Sequence, residues 1–235
     1  MSEIVREVIV VCNMSRRIVK VNLGCGPKGV VGWINIDRSY KVYLSRFPIL
    51  KYILRILSWL RLISRIAPEE EFPAELKIIR CDVTKGLPFN DAEVDYIYSS
   101  HMFEHLTRDE LIFVLKECYR VLKTGGVLRI VVPDLEILIK NYLSHKQNND
   151  VMAADKFMES LGLHCLRPKK PLFNRIFGGK GHQWMYDFDS LSHRLRMVGF
   201  KKIRRCEPNV GKVPDLQLLG EGELHPNSLY LEAEK

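Results

Sequence analysis

At 235 residues the chain is long enough to bury a core without disulfide or metal staples, and 46% hydrophobic against 27% charged residues excludes a disordered or fibrous polymer. The formal charge of +8 suits an anionic partner, whether nucleic acid, a phosphorylated sugar or lipid, or a membrane surface, although proteins that bind none of these share it. The six cysteines (Cys12, Cys25, Cys81, Cys118, Cys165, Cys206) form no CxxC pair and no zinc-like spacing, which argues against a disulfide framework and suits a reducing, cytoplasmic compartment.

The apolar patch Val8 to Val11 follows Glu3, Arg6 and Glu7 and has no small-residue cleavage site, so it does not read as a signal peptide. No uncharged apolar stretch is long enough for a spanning helix. Ile18 to Leu23 is a short β-branched run that stops at Gly24, and it predicts a buried strand. Val31 to Ile36 predicts a second strand ending at Asp37, Leu76 to Cys81 a third ending at Asp82, and Val94 to Tyr98 a fourth ending at Ser99-Ser100-His101.

Residues 41–72 interrupt this alternation and read as a helical insertion within a single domain spanning 1–235. In 41–66, Lys51, Arg55, Ser58, Arg61 and Arg65 recur at helical spacing among Leu, Ile and Trp. Three readings stay open for it: a cover over the sheet or site with a solvated basic face, an interfacial helix on an anionic membrane, or a dimer contact.

A helix follows the fourth strand, with Thr107 and Glu110 as a capping box and Leu111, Leu115, Cys118 and Leu122 on one face. Gly125-Gly126 reads as its closing turn, and Val127 to Val132 as a fifth strand broken by Pro133-Asp134. A helix over Asp189 to Val198, a strand over Phe200 to Cys206 and a last strand over Ser228 to Glu234 complete the pattern. Strands that alternate with helices and end in polar residues predict a parallel sheet, with the ligand crevice at the carboxyl ends of the strands.

A nucleoside-type cofactor asks three things of such a sheet: a glycine loop after strand one, an acid after strand two for the ribose, and a polar group after strand three for the base. Gly24-Cys25-Gly26, Asp37 and Asp82 stand at those places. The string Gly24 to Gly29 also matches the dinucleotide pattern G-x-G-x-x-G, but that pattern expects its acid about 20 residues on. Asp37 follows Gly24 by only 13 positions, which leaves little room for a full helix, and without a helix N-terminus aimed at it a pyrophosphate loses its usual anchor.

Together, VNLGCGPKGVVGWINIDRS, CDVTKGLPF, DYIYSSHMFEHL, ECYRVLKTGGVLRIVVPDLE and GHQWMYD resemble class I S-adenosylmethionine-dependent methyltransferases, most closely the small group associated with cell-surface polysaccharide synthesis. The resemblance covers about residues 17–235. It implies a Rossmann-like, mostly parallel seven-stranded sheet with helices on both faces and an antiparallel last strand. It also implies S-adenosylmethionine as cofactor, contacted by Asn22, Gly24, Cys25, Gly26, Asp37, Asp82, Val83, Ser99, Ser100 and His101. The short loop between Gly24 and Asp37 departs from the family and predicts a turn where the first helix usually stands.

Methyl transfer requires an aligned nucleophile and, for a hydroxyl or amine, a base. His101, His182 and Tyr186 are the catalytic candidates, with His105 and Asp134 nearby in the pattern; His105 and Glu104 read as orienting the loop. The stretch Gly181 to Asp187 reads as a lid over the acceptor or as a packed aromatic corner. His101 to His105 matches the zinc motif H-x-x-E-H, but it follows a strand where that motif needs a long helix, so no metal is expected. The expected acceptor is a small molecule or saccharide, methylated at oxygen. The alternatives are RNA methylation, which lacks an appended RNA-binding module here, and a membrane-associated S-adenosylmethionine-binding protein without catalysis.

Overall fold

The computed structural model describes residues 18–26, 29–38, 56, 78–162, 181–220 and 227–235. Its centre is one seven-stranded sheet: β1 (Lys20–Leu23), β2 (Ile34–Asp37), β3 (Ile78–Arg80), β4 (Val94–Ser100), β5 (Leu122–Pro133), β6 (Lys201–Cys206) and β7 (Ser228–Glu234). The strand order is β3-β2-β1-β4-β5-β7-β6. The pairs among β1 to β5 are parallel, and β7 runs antiparallel to both of its neighbours. This is the mostly parallel, Rossmann-like sheet expected, with the reversal at the last strand.

Burial explains why these segments are strands. Val21 and Leu23 of β1, Ile97 of β4, Ile130 and Val132 of β5 and Leu231 and Ala233 of β7 are all buried in one cluster. Helix α1 (Arg108–Val121) and helix α4 (Phe188–Val198) close over it with Leu111, Val114, Leu115, Cys118, Leu191 and Leu195. Between them in sequence stand α2 (Leu135–Gln147) and α3 (Ala153–Ser160), which pack on one another. The Thr107–Glu110 capping box is present, and α4 has its own between Asp187 and Ser190. Gly199 ends α4 at φ +116°, where a side chain would be strained.

The sheet's other face carries Trp33, Tyr98, Val127, Val131 and Tyr230, covered by Val213 and Leu216 from the 207–220 loop. Arg129 of β5 and Glu232 of β7 stand opposite one another on this face, both essentially unexposed. Arg129 donates to the carbonyls of Glu207 and Val210, while Glu232 accepts from the amides of Lys212 and Val213 and pairs with Arg204. The buried pair thereby ties down the loop that roofs this face.

Several boundaries differ from expectation, among them three with a clear cause. Strand β2 begins at Ile34 instead of Val31, because Val30 to Trp33 makes a turn with Gly32 at φ +81°. The exposed Ile18 lies outside β1, which begins at Lys20. Helix α1 stops at Val121, so Gly125 and Gly126 lie within the first half of β5, where Gly125 turns at φ +80°. The expected absence of a helix between β1 and β2 is found among the described residues of that loop. Asn35 holds this short loop: its Oδ1 accepts from the Val30 amide at 2.8 Å, and its Nδ2 donates to the carbonyls of Val30 and Trp33. The insertion expected over 41–72 lies outside the described residues except for Ile56, which is helical and exposed. Among the described residues no helix is long and apolar enough to cross a membrane.

Candidate active site

The carboxyl ends of β1, β2 and β4 meet at the glycine turn. The amides of Gly24 and Cys25 both donate to the Ile36 carbonyl, at 2.8 and 3.2 Å, which folds the turn against β2. Gly24 stands at φ +70°, and a Cβ there would come within 2.7 Å of the Met102 side chain. Only glycine serves both the turn and that approach. The Gly26 amide donates to Oδ2 of Asp37 at 2.8 Å, which holds the acid at the lip of the turn. Nothing lies within 4 Å of where a Gly26 Cβ would stand. An open turn with a carboxylate at its edge fits the ribose and methionine parts of a nucleoside cofactor.

The other cofactor candidates have distinct settings. Asn22 is buried and donates to Oδ1 of Asn35 at 3.3 Å, so its contact here is with the loop's organiser. The Cys25 thiol is pushed up to about 12, by burial first and by the Asp37 carboxylate second, which makes it an inert packing group. Asp82 caps the 3₁₀ turn Val83–Lys85 by accepting from the Thr84 amide and hydroxyl, and it pairs with Arg38 at 3.3 Å. Burial opposes its ionisation, but the Thr84 hydrogen bonds and Arg38 outweigh it and hold the carboxyl below its usual range. Ser99 Oγ donates to the Leu23 carbonyl at 3.1 Å and locks β4 to β1, whereas the buried Ser100 Oγ has no hydrogen-bond partner.

Just beyond β4, the chain turns sharply at His101, which has φ +49°. A histidine in this left-handed region is costly and marks a constrained site. Its amide donates to the Val131 carbonyl, its Nδ1 lies 3.0 Å from Oε1 of Glu104, and its Nε2 lies 3.0 Å from Ser228 Oγ. Glu104 sits in the 3₁₀ turn Phe103–His105 and is fully buried, and neither of its carboxyl oxygens makes a well-aligned hydrogen bond.

The segment from Gly181 to Asp187 docks directly on this turn. The amides of Gln183 and Trp184 both donate to the Glu104 carbonyl, at 2.7 and 3.2 Å. Trp184 receives the guanidinium of Arg108 on its ring at 4.8 Å. The rings of His182 and His105 meet edge to face at 4.9 Å, and His182 Nδ1 donates to the Leu161 carbonyl at 2.9 Å. Burial, ahead of the neighbouring charges, lowers the His182 pKa. Tyr186 is wholly buried, its hydroxyl has no hydrogen-bond partner, and burial first, with Glu104 adding, pushes it up to about 12.

The structure thus brings His101, His182 and Tyr186 to one place around Glu104. Ligating atoms of Glu104, His105 and His182 lie within 4.8 Å of one another. Asp134 caps α2 and bridges to Tyr186 in the backbone, and it pairs with Arg205. Sequence reading assigned Glu104 only an orienting part and did not single out Ser228. The signal for Glu104 was its place in His101 to His105, an acid amid apolar residues directly after a strand. Ser228 carried no local signal, because it reaches His101 only through the pairing of β7 with β5.

Residues 58–130 match the family model described as a methyltransferase domain. No curated protein matches the chain. Similar solved structures include a SAM-dependent methyltransferase from Archaeoglobus fulgidus, with 16% identity over 98% of this chain and 92% of that one and a TM-score of 0.48. A protein from Pyrococcus horikoshii OT3 has 17% identity over 99% and 92%, with a TM-score of 0.47. A possible histamine N-methyltransferase from Thermotoga maritima has 16% identity over 96% and 86%, with a TM-score of 0.45. The matched methyltransferase domain reaches from within the 41–72 stretch to β5, and the sheet order and the open glycine turn with its acid agree with that match.

Proposed function

We propose that this enzyme methylates a hydroxyl group of a small molecule or saccharide and that His101 takes the hydroxyl proton. The observation that carries the reading is the His101 imidazole, held at the end of β4 between the buried Glu104 carboxyl and Ser228 Oγ. A carboxyl beside Nδ1 favours the tautomer with hydrogen on Nδ1, which leaves the Nε2 lone pair to receive a proton. Ser228 Oγ marks where an acceptor hydroxyl would sit.

When bound, S-adenosylmethionine supplies a methyl group on a sulfonium, electrophilic enough that the acceptor needs only alignment and loss of its proton. Asp37 would hold the ribose hydroxyls, Gly24, Cys25 and Gly26 the methionine part, Asp82 and Val83 the base, and Ser99 and Ser100 the side facing β4. Asn22 would act on the cofactor through Asn35 and the loop. His182 and Tyr186 would wall the acceptor side and exclude water. The resemblance to the polysaccharide group supports a saccharide, and the basic stretch over 41–66 would suit one carried on an anionic lipid at the cytoplasmic membrane face.

The test is transfer of labelled methyl from S-adenosylmethionine across a panel of hydroxylated and amine acceptors, saccharides included. Label on hydroxyl acceptors alone is the expected result. Label that enters only amines or carbon acids would overturn the reading.

A further inference from the structure

Glu104, His105 and His182 are a mixed carboxylate and imidazole set with ligating atoms already within 4.8 Å. We propose that they bind one divalent transition-metal ion of the zinc type, whose open positions take oxygen atoms of the acceptor; the second half of this rests on the hydroxyl-acceptor reading above.

Four observations carry the site. Glu104 is completely buried; His101 Nδ1 stands 3.0 Å from Oε1, and Oε2 has no hydrogen-bond donor. A buried carboxyl that keeps one oxygen without a donor is costly, and a cation is a natural complement to that oxygen. His182 is set up as a ligand: Leu161 offers a carbonyl that can only accept, so Nδ1 must carry the hydrogen and Nε2 the lone pair. Gly162 makes that arrangement fit, since a Cβ there would come within 2.7 Å of the His182 ring. Finally, the two contributing segments are pinned together by the Gln183 and Trp184 amides on the Glu104 carbonyl.

Ligand chemistry narrows the ion. Two imidazoles with one carboxylate suit zinc, iron, nickel or copper more than magnesium or calcium. Three protein ligands leave coordination positions open, as in catalytic zinc sites. Metal–ligand bonds of about 2.0–2.2 Å require the three atoms to close to roughly 3.4 Å, a side-chain adjustment of about 1 Å. His105 and His182 are part-exposed, which gives the ion a way in. The H-x-x-E-H string is therefore not the long-helix motif it formally matches; its Glu104 and His105 are completed by His182 from the 181–187 segment.

Cobalt(II) titration of the full-length protein tests this, with visible absorption reporting the ligand field and calorimetry reporting affinity. S-adenosylmethionine binding is measured on each sample as the control for folding. One cobalt per chain, displaced by zinc, is expected in the wild type. Glu104→Gln and His182→Ala should lose at least tenfold in cobalt affinity and change the spectrum, while still binding S-adenosylmethionine. Absence of cobalt uptake by protein that binds the cofactor would overturn the site, as would uptake unaltered in both variants. Methyl transfer to a hydroxyl acceptor that persists in full after chelation would overturn the acceptor-binding half and leave the hydroxyl reading standing.

Discussion

Nδ1 of His101 lies 3.0 Å from Oε1 of Glu104, and the Glu104 side chain has no solvent exposure. Such an imidazole is fixed in orientation by a carboxyl that water cannot screen. His101→Ala should therefore lower methyl transfer by about 10² to 10⁴. Cofactor affinity, measured by calorimetry, should change far less. Turnover equal to wild type would remove His101 from the chemistry.

Replacement of the buried acid separates stability from activity. Glu104→Gln, studied with a chelator present, exchanges the carboxyl for a neutral group of the same shape. The thermal midpoint should rise by roughly 2–4 °C, the equivalent of about 1 kcal/mol, while methyl transfer falls. Thermal unfolding and turnover on the same preparation check both halves.

Asp37 offers the most direct test of the cofactor site. Its carboxylate accepts from Gly26 and stands at the lip of the open turn. Asp37→Ala should weaken S-adenosylmethionine binding by roughly 10- to 100-fold, the loss of about 1.5–3 kcal/mol of hydrogen bonding to a charged group. Titration calorimetry measures it.

Gly24→Ala acts on the same site through the backbone. A left-handed alanine costs about 1–2 kcal/mol, and its methyl would displace Met102. Both the thermal midpoint and the cofactor affinity should fall. The Met102→Ala change in the Gly24→Ala background should recover part of the affinity if crowding contributes, because it empties the space the new methyl needs.

Acid sensitivity should trace to Glu232. Burial opposes its charge, yet Arg204, the Lys212 and Val213 amides and Arg129 outweigh burial and lower its pKa from the ordinary 4.5. A lowered folded pKa gives stability that is present above 4.5 and lost as pH falls below it. Glu232→Gln should leave the buried Arg129 guanidinium with its carbonyl hydrogen bonds but without the opposite charge of Glu232, at a cost of about 3–5 kcal/mol near neutral pH. The variant's unfolding free energy should then depend less on pH below 4.5 than the wild type's, by chemical denaturation across that range.

Much of the architecture was legible because each strand carries its own signal. The short runs at Lys20–Leu23 and Ser228–Glu234 carry Val, Leu and Tyr in strand-length segments, and the thirteen-residue interval from Gly24 to Asp37 leaves little room for a full helix. Capping at Thr107 and Gly199 is likewise local chemistry. Boundaries were less legible where a turn is made by a side chain: Asn35 reaches back to Val30, and that contact shortens β2 at its start.

The sequence by itself determined the alternating fold, the glycine turn and the acids at the strand ends, since these rest on backbone freedom, hydrophobic period and spacing along the chain. Only the tertiary structure decided what surrounds Glu104. His101 meets Ser228 across 127 positions, and His182 reaches His105 because the Gln183 and Trp184 amides dock on the Glu104 carbonyl. Burial of a carboxyl depends on which distant segments close over it, and no local pattern encodes that.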